Sequence, residues 1–183
     1  MQWWIILIIV VAVLVLYVIS TYNRLVKARN KVRDQWAQID VQLKRRYDLI
    51  PNLVETVKGY AKHEKETLEE VIAARSKALS ATTPEEEMKA DGDVSRALSK
   101  LLALTEAYPD LKANENFLKL QDSLSDTEDK IAYSRQFYND NAKSYRNLVE
   151  MFPSNIVAKI FGFEPMAFFE ASAEEKVAPK VQF

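Results

Sequence analysis

The chain has 183 residues, a formal net charge of −1 and no cysteine. A near-neutral balance argues against a nucleic-acid partner, and the missing cysteine excludes disulfides, thiolate metal sites, a cysteine nucleophile and a lipidated-cysteine anchor. With only three glycines there is no Gly-rich phosphate loop, and the Ala, Leu, Lys and Glu bias is that of helical bundles.

From Met1 to Asn23 there is no charged side chain, and Trp3 to Ile19 is unbroken apolar sequence. As a helix this stretch reaches about 34 Å, against a hydrocarbon core of about 30 Å. Trp3 and Trp4 open it and Tyr17 and Tyr22 close it, where amphipathic rings favour the two interfaces, with Leu7 and Leu14 in the lipid-facing body. A cleavable signal peptide would need a basic start and a small-residue cleavage site, which Met1-Gln2 and Tyr17-Val-Ile-Ser-Thr-Tyr do not supply. Residues 1–22 are therefore expected to be an uncleaved transmembrane anchor.

Eight basic residues follow between Ser20 and Arg46 (Arg24, Lys27, Arg29, Lys31, Arg33, Lys44, Arg45, Arg46) against Asp34 and Asp40. A Lys/Arg excess beside one end of a span marks its cytoplasmic side, so the N-terminus is expected outside and the rest inside. The juxtamembrane group, Arg24 to Arg33, either only sets topology or also attracts anionic lipid.

Residues 23–152 are expected to be a four-helix bundle, over roughly 23–47, 49–80, 86–107 and 114–151. Leu25, Val32, Trp36, Ile39 and Leu43 recur at helical spacing, and nothing between Ile19 and Leu43 breaks a helix, so anchor and first bundle helix read as one rod. Asp48-Leu-Ile-Pro51 then reads as an N-cap followed by a first-turn proline, hence a tight hairpin near 47–49; a kinked continuous helix is the alternative. The stripe from Leu53 to Leu79, which includes Arg75, ends at Ser80-Ala-Thr-Thr-Pro84. Pro84-Glu-Glu-Glu can start a third helix that Asp91-Gly92-Asp93 interrupts, and Tyr108-Pro109-Asp110 stops it. A long fourth helix carries Phe117, Leu120, Leu124, Ile131, Tyr138 and Tyr145 to Phe152-Pro153. Residues 153–183 give a short amphipathic helix and an extended tail. The fold class is all-α, an N-terminal transmembrane helix continuous with a long up-and-down four-helix bundle.

Several blocks resemble the LemA family of bacterial membrane proteins. They are Ile39-Asp-Val-Gln-Leu-Lys-Arg-Arg46, Asp48-Leu-Ile-Pro-Asn-Leu-Val54, Val57-Lys-Gly-Tyr60, Thr127-Glu-Asp-Lys-Ile131, Ser134-Arg135, Tyr138-Asn139, Phe152-Pro-Ser-Asn155 and Pro179-Lys-Val-Gln-Phe183. The resemblance implies a single-pass protein of the bacterial cytoplasmic membrane with a cytoplasmic helical bundle and no established enzymatic activity. It also implies a context that includes a membrane zinc protease in some relatives and magnetosome formation in another.

The residues themselves offer little chemistry. His63 is the sole histidine and has Tyr60 three positions before it, so the Glu-x-x-His pattern of di-metal bundles is missing. H-E-x-x-H, G-x-S-x-G and Walker-type motifs do not occur. No cofactor or catalytic residue is expected.

Two constellations remain. Glu128 and Arg135 lie seven apart on the stripe of Leu124, Ile131 and Tyr138, with Asn139 adjacent, and charges there need partners. Asp40, Gln42, Arg45 and Arg46 are the candidates, for a buried register-fixing network, an intersubunit contact or a catalytic pair, in falling order. The second is Ile160-Phe-Gly-Phe-Glu-Pro-Met-Ala-Phe-Phe169, whose Phe161, Phe163, Phe168 and Phe169, with Phe183 beyond, are too apolar for a free tail. It closes the bundle, docks on a neighbouring subunit or touches lipid. The function expected is a membrane-anchored, non-enzymatic scaffold that self-assembles as a homo-oligomer. The alternatives are an adaptor for a membrane protease or other envelope protein and a membrane-remodelling protein.

Overall fold

A computed structural model describes residues 2–169, and all their regular secondary structure is helical: α1 (Gln2–Tyr60), α2 (Lys65–Leu79), α3 (Pro84–Thr105), α4 (Pro109–Lys112), α5 (Glu115–Glu150) and α6 (Ser154–Ile160). The apolar leading stretch and the first bundle helix are one helix, as the uninterrupted period requires. Two compact units divide the chain. The first holds the described residues up to Gln38 with Ser134–Phe168, and the second holds Ile39–Tyr133 and Phe169.

In the second unit α1 buries Ile39, Leu43, Ile50, Leu53 and Val57 at intervals of three, four and seven. Opposite lie Leu68 and Val71 of α2, Val94, Leu98 and Leu101 of α3, and Phe117, Leu124 and Ile131 of α5. The expected hairpin near 47–49 is not there: α1 runs through Pro51 to Tyr60. A proline inside a helix removes the N–H that would serve the carbonyl four residues back, here that of Tyr47. Arg75 of α2 supplies the missing donor, its Nε 2.7 Å from the Tyr47 oxygen. The reversal falls instead at residues 61–64. Six polar residues separate Ala61 from Leu68 there, so the segment has no apolar face to bury.

Nor does Asp91-Gly92-Asp93 interrupt α3, which runs unbroken from Pro84. A helical glycine costs about 1 kcal/mol against alanine, and the bonds Asp91 makes across the core offset that. The start of α3 is fixed locally. Thr83 accepts from the Glu86 N–H while the Glu86 side chain accepts from the Thr83 N–H, with Pro84 in the first turn.

The first unit is built on Leu25 and Val32 of α1, Tyr138, Ala142 and Tyr145 of α5, and Val157 and Ala158 of α6. Phe163, past the end of α6, is buried in the same core. Residues 3–16 of α1 remain exposed along their length. The N-terminal part of α1 that contains them is long and apolar enough to cross a membrane.

Candidate functional site

Arg46 sits on the stripe that α1 turns into the second unit, between Leu43 and Ile50, and none of its surface is exposed. Its Nη2 donates to the Asp91 carboxylate and, at 3.3 Å, to the Asp91 carbonyl. Its Nη1 donates to the Glu128 carboxylate at 2.9 Å and to Ser95 Oγ at 3.0 Å. One guanidinium thus ties α1 to α3 and α5. Asp91 and Ser95 are four apart, hence on one face of α3, and Glu128 follows the buried Thr127 on α5. The planar fork of arginine is suited to serving several oxygens at once; a lysine could not reproduce it.

The surroundings tune the neighbouring groups. Burial raises the Tyr47 phenol above its ordinary value, against the pull of the Arg46 guanidinium 5.7 Å from its ring. Burial also raises the Glu87 carboxyl, and the Asp40 charge adds to it. At the surface, Lys130 and then Arg45 hold Asp126 below the usual carboxylate range. The two terminal nitrogens of the guanidinium are committed to two carboxylates, a hydroxyl and the Asp91 carbonyl, while its buried Nε has no hydrogen-bond partner among the described residues. Among the described residues no group of three or more His, Asp or Glu side chains is placed to hold a metal ion.

The sequence-derived candidates therefore separate. Arg46 and Glu128 meet as a cross-core pair, while Arg45 reaches Asp126 at 3.4 Å and Asp40 stays exposed. Tyr138 belongs to the first unit, where its hydroxyl donates to the Ala167 carbonyl at 2.9 Å and its ring meets Trp36 edge-on. Arg135 and Asn139 lie half-buried on the same helix. Asp91, the most buried partner of Arg46, was not among the candidates. Its signal is its register: it lies three before Val94 on the buried stripe of α3, but the Asp-Gly-Asp sequence disguises it as a break.

Of the aromatic segment, Phe163 packs under the Arg29 guanidinium at 5.0 Å and edge-on against Tyr22, with Phe161 on the other side of Tyr22. Phe168 lies beneath Arg146, and Phe169 is half-buried. Phe183 falls outside the described residues. Trp3, Trp4, Leu7, Leu14 and Tyr17 are exposed on α1, as are Arg24, Lys27, Lys31 and Arg33, whereas Arg29 is half-buried by its stacking.

The sequence model of the LemA family matches residues 35–183. The chain belongs to the LemA family. Protein LemA of Metamycoplasma hominis is 30% identical over 159 residues, covering 85% of this chain and 71% of the relative. Magnetosome protein MamQ of Magnetospirillum gryphiswaldense is 25% identical over 174 residues, 81% of this chain and 64% of that protein. Magnetosome protein MamQ 2 of Paramagnetospirillum magneticum is 26% identical over 175 residues, with the same coverage. The chain thus aligns with less than two thirds of each of these MamQ relatives. The LemA match takes in the Arg46 node and begins beyond the apolar stretch, so family membership and the membrane-length helix are independent observations.

Proposed function

We propose that this LemA-family chain is a membrane-anchored, non-enzymatic helical protein that self-assembles into a homo-oligomeric scaffold at the cytoplasmic face of a bacterial cytoplasmic membrane. The observation that carries the reading is the exposure of residues 3–16. A charge-free apolar helix finds no cover in its own chain, and the bilayer is the solvent that such a surface fits. Both terminal nitrogens of Arg46 are engaged by side chains and backbone of α3 and α5, and none of its surface is exposed, which favours a structural role over a reactive one.

Self-assembly is supported by large apolar side chains left exposed in each unit, Val41, Leu118 and Tyr133 in the second and Phe137 in the first. Tethering to a common surface raises the effective concentration of such weak lateral contacts into a useful range. Mass photometry of the full chain in mild detergent tests the reading. A multi-copy particle of defined mass is expected; a monomer would leave the scaffold without support and turn attention to an adaptor that binds a membrane protease or other envelope protein.

A further inference from the structure

The corner between α5 and α6 carries an apolar surface that neither the fold nor the scaffold reading uses. Phe152 is 78% exposed, Met151 61%, Ile160 69% and Ile156 52%. Ile156 and Ile160 are four apart on α6 and so share one face, while Val157 and Ala158 fill the core on the other. An amphipathic helix of a water-facing corner would carry polar side chains where these two isoleucines lie.

The position of the corner identifies what covers it. Met151, Phe152 and Pro153 line one cleft together with Tyr17, Ser20, Thr21 and Arg24 of α1. Those α1 residues straddle Ile19, where the apolar run ends. Phe161 packs at 4.9 Å on Tyr22, one turn further along. A bilayer that receives the leading helix therefore has its headgroup layer at the level of this corner. Arg24, Lys27 and Lys159 are exposed there, with charges suited to lipid phosphates, and the apolar face stands beside them as in helices that lie in the interface plane.

We propose that the α5–α6 corner is a second, monotopic membrane contact, in which Met151, Phe152, Ile156 and Ile160 enter the headgroup and upper acyl region of the leaflet where the transmembrane helix ends. The inference rests on the reading of that helix as a span. Its consequence is orientational: a lone span leaves the rest of the first unit free to rotate and tilt at the surface, whereas two contacts fix it.

The cysteine-free sequence permits single nitroxide labels in the full chain, reconstituted in phosphatidylcholine–phosphatidylglycerol liposomes. Phe152→Cys, Ile156→Cys and Ile160→Cys are compared with Leu14→Cys in the span and with Gln136→Cys. Gln136 is exposed on α5, roughly 22 Å along the helix from Met151. The oxygen-to-nickel-chelate accessibility ratio is expected to be several-fold higher at positions 152, 156 and 160 than at 136, though below that at 14. A lipid-like ratio at 14 with water-like ratios at the corner would overturn the second contact alone. Shielding of the corner from both reagents would overturn it too, in favour of a second copy packed there. A water-like ratio at 14 would remove the anchor reading and this proposal with it.

Discussion

Arg46 shows how one side chain is held at the centre of a helical core. Removing a charge from water costs several kcal/mol, and its attraction to partners repays this only when the geometry is good and the remaining protons are bonded. The two carboxylates around it are not equivalent. Asp91 has 1% of its side chain exposed, whereas Glu128 keeps 40% and solvates its own charge. Arg46→Met strands the Asp91 charge in the core and is expected to destabilise by about 3–5 kcal/mol. Glu128→Gln, at a solvent-screened arm, is expected to cost about 1 kcal/mol or less. Arg46→Met combined with Asp91→Leu removes both buried charges and recovers most of the loss, since an apolar replacement of a buried pair is near neutral. Urea unfolding of the full chain in mild detergent reads all three. Equal instability of the single and double variants would show that stranded charge is not the cost. Arg46 has no exposed surface and is unavailable to a lipid headgroup, whereas Arg24, Lys27, Lys31 and Arg33 are exposed.

At the scale of elements, the clearest case is α1 passing through Pro51. The interior penalty of proline is about 3 kcal/mol, part of it the orphaned carbonyl. Arg75 takes that carbonyl over from another helix. Arg75→Leu is expected to cost about 1–3 kcal/mol, the range for exposing an unmet acceptor in a core. In a Pro51→Ala background the restored backbone N–H serves Tyr47, and the cost of Arg75→Leu should fall to a fraction of that. A double-mutant cycle by urea unfolding measures the coupling, and simple additivity would rule the contact out as the reason the helix continues. This contact also explains what could be read in the sequence and what could not. The continuity of the apolar stretch with the first bundle helix and the bounds of α3 and α5 to within two residues follow from apolar period, and charges on core-facing stripes narrow the partners of Glu128 to four residues, of which Arg46 is the one it meets. The reversal at 61–64 was legible too, as a gap in the stripe, but Asp48 and Pro51 gave a stronger local signal for a helix start. Local signals lost wherever a side chain from a distant helix met the backbone need, as Arg75 did for Tyr47 and Arg46 did for Asp91.

For the whole molecule, the decisive quantity is the basic excess that follows the leading apolar helix. From Gln2 to Asn23 there is no charged side chain, and eight basic residues lie between there and Arg46, with two acidic ones among them. The basic excess acts during insertion, before the core forms, so even Arg29, later stacked on Phe163, counts toward orientation, whereas Arg46 lies beyond the roughly 15–20 residues over which such charges count. Gln2→Cys should therefore react with a membrane-impermeant maleimide on intact bacterial cells. Lys62→Cys, exposed in the turn after α1, should react only after permeabilisation. Replacing Arg24, Lys27, Lys31 and Arg33 by Gln lowers that excess without touching the Arg46 node or the Arg29–Phe163 contact, and a mixed population labelled at both positions is expected. Labelling of Lys62→Cys in intact cells carrying the otherwise native chain would place the helical units outside, and with them any scaffold that they build.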